Sequence, residues 1–153
     1  MPRTATVSVP LRERDLDHQK HVYHGVMLTL LDEGRVRFYG QFLNIQAAAS
    51  YVVVRIELDY VSETVLPDGP LAIEFSVQRA GNSSIRTVER VISNSGQLLA
   101  SAVVTCVLWD AEDRAPRALS TTERASVALY TNHWDPNGVA ITSDHVDVME
   151  SER

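Results

Sequence analysis

The spacing of apolar residues changes once along the chain. Between His24 and Leu43, Val26, Met27, Leu30, Leu31, Gly34, Phe38 and Phe42 recur mostly three and four residues apart. At 100° per residue they fall within a sector of about 160°, which predicts a helix of roughly twenty residues with a wide core-facing stripe. Gly34 inside that stripe costs about 1 kcal/mol against Ala, a cost that points to close approach of another backbone. From Tyr51 the period falls to two: Tyr51 to Tyr60, Leu71 to Arg79, Ser84 to Ser93 and Leu98 to Trp109 are strand-length runs rich in Val and Ile. Pro67-Asp68-Gly69-Pro70, Ala80-Gly81-Asn82 and Asn94-Ser95-Gly96 separate them, so the last three are expected to form an antiparallel meander.

Upstream, Thr4 to Arg14 places Val7 and Val9 on one face and is broken by Pro10, which suits an edge strand with a bend. Downstream, Ser120-Thr121-Thr122-Glu123 is a capping box that starts a short helix towards Leu129. A sheet of alternating pattern has one face to cover, and one long apolar helix is available to cover it. The expected architecture is α+β: strand, long helix, four strands, with a curved antiparallel sheet of about five strands around the helix. Periodicity fades after Tyr130, giving a domain over 1–130 and an acidic tail over 131–153.

Composition narrows the function. At 153 residues and 44% hydrophobic, the chain can bury a core without disulfide or metal. Its one cysteine, Cys106, lies in the apolar run Leu98 to Trp109 and reads as a buried strand thiol. A net charge of −6, with Lys20 the one lysine, argues against nucleic acid as a partner. The sequence has neither a membrane-length apolar stretch nor a signal core, so a soluble cytoplasmic protein is expected.

Chemistry concentrates in Arg14 to Gly25, where three of the five histidines and two aspartates lie within twelve residues. Three readings compete. His18, His21 and His24 with an Asp could bind a metal, although the spacing is not the i,i+4 pair of a helical zinc site and no fourth ligand follows. The cluster could be a polar surface loop. Or Asp17 stands just before the long helix, whose free N–H groups and dipole stabilise negative charge on a reacting carbonyl oxygen. Asp15, two residues away, shares a face with Asp17 if the loop is extended, and is then a rival carboxylate.

Asp17 through Arg35 resembles the signature of the hotdog-fold acyl-CoA thioesterases of the 4-hydroxybenzoyl-CoA thioesterase type, and within them the YbgC-like branch. Val22-Tyr23-His24 match that branch, Asp32 stands at its helix carboxylate and Arg35 at its helix arginine. Asp59-Tyr60 and Gly81-Asn82-Ser83-Ser84 resemble its strand tyrosine and its Gly-x-Ser-Ser turn. The chain departs from the branch at Gln19 and Lys20, where glycine is common, and at Met27, where an aromatic is common. The resemblance implies a hotdog fold assembled as a homodimer or homotetramer with active sites at the interface. It implies hydrolysis of an acyl-CoA or acyl carrier protein thioester, without a cofactor or metal. Asp17 would be the catalytic carboxylate, with Tyr23 and His24 beside it and the N–H groups of Tyr23 to Gly25 as oxyanion site. Met27 would face the acyl group, while Ser83, Ser84 and Arg86 would contact pantetheine or phosphate, for which hydroxyls and a guanidinium are suited.

Two rivals share the fold. Hydratases and dehydratases of acyl thioesters space their pair as Asp-x4-His, whereas three residues separate Asp17 from His21. A catalytically silent acyl-binding module would have no need of Asp17 or Tyr23-His24.

Overall fold

The computed structural model describes residues 3–46 and 50–132. Strand β1 (Ala5–Val9) leads through a charged loop to helix α1 (His24–Arg37). Four strands follow, β2 (Tyr51–Tyr60), β3 (Leu71–Ala80), β4 (Ser84–Ile92) and β5 (Leu98–Asp110), then a two-residue strand β6 (Ala115–Pro116) and helix α2 (Thr121–Tyr130). The sheet order is β1-β3-β4-β5-β2, all neighbours antiparallel, with β6 on the end of β5. The strand limits agree with the period-two runs to within one residue, and β6 is too short to show any period. This is the hotdog arrangement. The tail expected over 131–153 lies, from residue 133 on, outside the described residues. Among the described residues, no helix is long and apolar enough to cross a membrane.

Met27, Leu30, Leu31 and Phe38 of the apolar stripe are buried against the concave face of the sheet, where Ile73, Phe75, Val104 and Cys106 meet them. Each such side chain contributes about 1.5–3 kcal/mol by leaving water. The α-helix ends at Arg37, not Leu43: Phe38–Phe42 form a wider turn in which the Leu43 N–H reaches the Phe38 carbonyl. Two successive rings must be buried there. Phe38 stacks on Phe75 at 4.9 Å and Tyr39 lies against Tyr51 at 4.4 Å, and a π-turn turns both inward. At Gly34 the close neighbour is side chain, not backbone: a Cβ would stand 3.0 Å from Phe75 Cζ and 3.2 Å from Ile73 Cδ1.

On β4 the inward row Ile85, Thr87, Glu89, Val91 carries a fully buried carboxylate. Arg35, also buried, holds it through Nε (2.9 Å) and Nη2 (2.8 Å), and the Thr87 hydroxyl donates to it at 2.7 Å. The third nitrogen, Nη1, reaches the exposed Asp32 at 3.3 Å. Burial alone would weaken the charge on Arg35, but the charge and hydrogen bonds of Glu89 outweigh it and raise its pKa. Cys106 is buried, which pushes its thiol up to about 11 and leaves it a core side chain.

Helix α2 starts as its capping box predicts. Ser120 Oγ accepts the Glu123 N–H at 3.1 Å and Glu123 Oε1 accepts the Ser120 N–H at 2.8 Å. Arg117 grips the same carboxylate with two bonds of 2.8 Å, and with the Ser120 N–H it holds Glu123 down to about 2. Because the folded value is depressed, this contribution is complete above about pH 4.5, where an unfolded Glu ionises, and is lost as pH falls towards about 2. Glu123→Gln should therefore reduce stability at pH 7 and flatten the decline in urea midpoint between about pH 4.5 and 2. An unchanged acid limb would show that the pair contributes nothing there.

Candidate active site

The loop before α1 is built by its own aspartates. Glu13–Asp15 form a 3₁₀ turn whose buried Asp15 accepts the Arg12 N–H on Oδ2 at 2.8 Å. The loop is therefore not extended, and Asp15 does not share a face with Asp17. After the Leu16 to Val22 bridge the chain reverses tightly: the Asp17 N–H donates to the His21 carbonyl at 2.8 Å and the Lys20 N–H to the Asp17 carbonyl at 3.0 Å. Asp17 Oδ1 accepts the N–H groups of Gln19 (2.8 Å) and His21 (3.2 Å). One carboxylate oxygen thus fixes the turn and orients the other. Lys20 sits at φ 66, a left-handed conformation that costs a side chain energy, which accounts for glycine near this point in the resembling branch.

The turn docks on the segment after β2. Val22 donates to the Thr64 carbonyl at 2.8 Å, His21 bridges Val65, and His21 Nε2 meets Glu63 Oε2 at 2.7 Å. Helix α1 then begins without a side-chain cap. The Tyr23 carbonyl takes the N–H groups of Val26 and Met27 at 2.9 and 3.3 Å, while the Tyr23 N–H donates to the Asp15 carbonyl at 3.0 Å. The expected oxyanion set of Tyr23 to Gly25 is thereby reduced to the His24 and Gly25 N–H groups, which helix geometry leaves without an intrahelical acceptor. The exposed Tyr23 ring lies 4.2 Å from the His24 ring, and a Cβ at Gly25 would stand 3.0 Å from Tyr23 Cε1. A side chain at Gly25 would push that exposed ring aside by a few tenths of an ångström.

Tyr60, at the end of β2, donates its hydroxyl to the His24 carbonyl. A pocket of about 300 Å³ opens beside it, lined by His21, Val22, Met27, Tyr60, Val61 and Glu63 among others. Met27 thus borders a cavity at the helix start, while its own side chain is 2% exposed. Tyr60 and Glu63 are wall residues that motif reading did not assign to a pocket. Glu63 carried no signal, being one of many charges in a loop.

The Gly81 to Ser84 turn is firmly held but lies elsewhere. The Gly81 N–H bonds the Ser84 carbonyl at 2.8 Å, the Leu119 N–H bonds the Asn82 carbonyl at 2.9 Å, and the Leu108 N–H bonds the Ser83 carbonyl at 2.7 Å. Arg124 of α2 donates to the carbonyls of Gly81 and Asn82, each at 3.1 Å. Arg86 is half-buried beside it with Nε unpaired. Ser84 pairs with Val107 whereas Tyr60 pairs with Ala100, so this turn and the Asp17 loop mark opposite ends of β5. The three histidines of the loop do not converge: His18 is exposed, His21 turns to Glu63 and His24 to Tyr23. Among the described residues there is no group of three or more His, Cys, Asp or Glu placed to hold a metal.

A helix wrapped by such a sheet is shared with known proteins. The profile of the thioesterase-like superfamily matches residues 11–145, and the chain belongs to that superfamily. Among solved structures, a thioesterase from Thermus thermophilus complexed with coenzyme A and Zn is 27% identical, with a TM-score of 0.71 over 82% of this chain and 92% of that one. A predicted thioesterase from Bacillus stearothermophilus superposes with a TM-score of 0.76 at 19% identity, covering 88% and 99%. A 1,4-dihydroxy-2-naphthoyl-CoA thioesterase from Synechocystis does so at 0.68 and 18% identity, covering 82% and 96%. The last two likenesses concern the fold. A search of curated protein sequences gives no match.

Proposed function

We propose that this protein hydrolyses acyl-CoA thioesters, with Asp17 as the catalytic carboxylate. The observation that carries the reading is the Asp17 turn: two N–H groups hold Oδ1 and fix the carboxylate in the loop that leads into a helix whose first N–H groups have no side-chain cap. A thioester carbonyl seated there accepts hydrogen bonds from His24 and Gly25 as negative charge grows on its oxygen. Asp17 takes the proton from a water that attacks the carbonyl carbon, or attacks it directly to form a mixed anhydride that a water then hydrolyses; in either case the C–S bond breaks, the acyl group leaves as the acid and a proton of that water ends on the thiol. His24 and Tyr23 border the reacting group, and the acyl chain enters the pocket by Met27 and Tyr60. Membership of the thioesterase-like superfamily and the likeness to a thioesterase solved with coenzyme A support this reading.

A screen over acyl-CoA lengths and aromatic acyl-CoAs, read by release of free thiol, tests it. Cleavage of at least one class without added metal is expected, and cleavage of none favours a binding module. Within the same reading, Ser83, Ser84 and Arg86 hold the pantetheine or phosphate part of the substrate, remote from the bond that breaks. Arg86→Ala should then raise KM several-fold and leave kcat within about twofold, since it removes binding that ground and transition states share. A KM equal to wild type removes Arg86 from the site.

A further inference from the structure

The turn that carries Asp17 is held at its ends. His18, Gln19 and Lys20 at its tip are exposed, and Lys20 sits at φ 66, a conformation that a side chain resists unless its surroundings hold it. Within the turn, Asp17 and His21 close on each other through the backbone and through Asp17 Oδ1. Outward, the hold passes to the segment that follows β2: the Val22 N–H donates to the Thr64 carbonyl, His21 bridges Val65, and His21 Nε2 meets Glu63 Oε2 at 2.7 Å. The first two contacts are made by backbone and do not depend on side-chain identity. The third is made by two side chains, and it falls on the residue whose N–H holds the Asp17 carboxylate.

We propose that Glu63 is a positioning residue for Asp17: its carboxylate fixes the His21 imidazole, and through it keeps the His21 N–H against Asp17 Oδ1. The role in turnover rests on the thioesterase reading, whereas the clamp itself rests on the contacts of the turn. The path is short. It runs from Glu63 Oε2 through the His21 ring to the His21 backbone, and from that N–H over 3.2 Å to Oδ1. Of the two bonds on Oδ1 this is the longer, beside 2.8 Å from the Gln19 N–H, so it gives first when the turn loosens. A carboxylate that swings with its turn loses alignment to the reacting carbonyl, and a misplacement of about 1 Å can cost about a hundredfold in rate.

The stability of the whole fold depends little on this pair. The His21 and Glu63 side chains are 39% and 63% exposed, and ion pairs so exposed contribute little. Its effect is therefore confined to the turn. Glu63 also lines the pocket, so direct contact with the acyl group is the rival role. That role would act on KM, and would do so whether or not the His21 ring is present.

Two measurements decide it. In steady-state hydrolysis of an acyl-CoA that the protein cleaves, Glu63→Ala should lower kcat about five- to tenfold and leave KM within about twofold. Glu63→Gln, which keeps an oxygen to accept from Nε2, should stay within about twofold of wild type in both. In a His21→Ala background, Glu63→Ala should change nothing further, because its path to Asp17 is already cut. The second measurement needs no substrate. The N–H groups of Asp17, Gln19, Lys20, His21 and Val22 are all hydrogen-bonded, so hydrogen exchange of this peptide should quicken at least about threefold in Glu63→Ala. Exchange of α1 should not change, and the melting temperature should stay within about 2 °C. Unchanged exchange in the turn overturns the clamp, whether or not thioesters are cleaved. Faster exchange with wild-type kcat overturns the positioning role, as does a KM effect that persists without the His21 ring, which would place Glu63 on the substrate. Cleavage of no acyl-CoA, or wild-type kcat in Asp17→Asn, removes the thioesterase reading and with it the role in turnover, while exchange still decides the clamp.

Discussion

Asp17→Asn should lower kcat for thioester hydrolysis by at least about a hundredfold while leaving the fold intact. A positioned base is worth about 10²–10⁴-fold, and an amide at this point offers neither an anionic oxygen to attack nor a base to accept a proton. The fold survives because Asn retains an Oδ1 able to accept the Gln19 and His21 N–H groups, so the turn and its docking on Thr64 persist. Asp15→Asn makes the opposite forecast. Asp15 is buried and caps its own turn through the Arg12 N–H, so its loss should appear in the unfolding midpoint before it appears in kcat. His24→Ala should cost less than Asp17→Asn, since the His24 N–H is kept and only its ring is lost. A metal enzyme would behave otherwise: a chelator would abolish turnover, and replacing His18, His21 or His24 would be equally severe. Wild-type kcat in Asp17→Asn would refute the assignment, and a dead Asp15→Asn beside it would move the motif by two residues.

The largest stability effect is expected at Glu89. Glu89→Gln leaves the buried Arg35 guanidinium without its counter-charge, and breaking a buried pair from one side costs about 3–5 kcal/mol. For a domain of this size that is a fall of roughly 10 °C in melting temperature. Arg35→Met combined with Glu89→Leu should recover most of the loss, because neither charge is then stranded and the volumes remain similar. Urea unfolding of the two variants checks both statements. A Glu89→Gln protein within about 1 kcal/mol of wild type would mean that water or Asp32 takes over the guanidinium.

The architecture was legible because it is carried by period. Strands with one wet face and a helix with one dry stripe write their limits into the sequence, and the Ser120 box and the turns gave the ends. The helix was overrun by six residues because Phe38 and Phe42 continue the stripe after the backbone has widened, and periodicity counts side chains rather than hydrogen bonds. Glu89 was readable in principle: a carboxylate in the inward row between Thr87 and Val91 demands a cation, and Arg35 on the helix supplies it. The Asp17 loop was legible as a motif, but its geometry was not. That Asp15 turns inward, that the Tyr23 N–H is already engaged, and that Lys20 takes a left-handed conformation depend on a 3₁₀ turn and a tight reversal that no spacing announces. Separation of the Ser83-Ser84 turn from Asp17 was equally hidden, since motifs say which residues recur and not which end of a strand they occupy.

Gly34 makes the long helix a lever. The helix rests on Phe75 and Ile73 where a methyl group is missing, and its N-terminal end at His24 lies ten residues away, about 15 Å along the axis. A side chain at this fulcrum pushes against the sheet by a few tenths of an ångström, and a tilt there is carried undiminished to the N–H groups at the tip. Substitutions beneath the helix, at Ile73 or Phe75, act on the same pivot from the other side. On the thioesterase reading, the alignment of the helix tip is thus open to residues that never touch substrate.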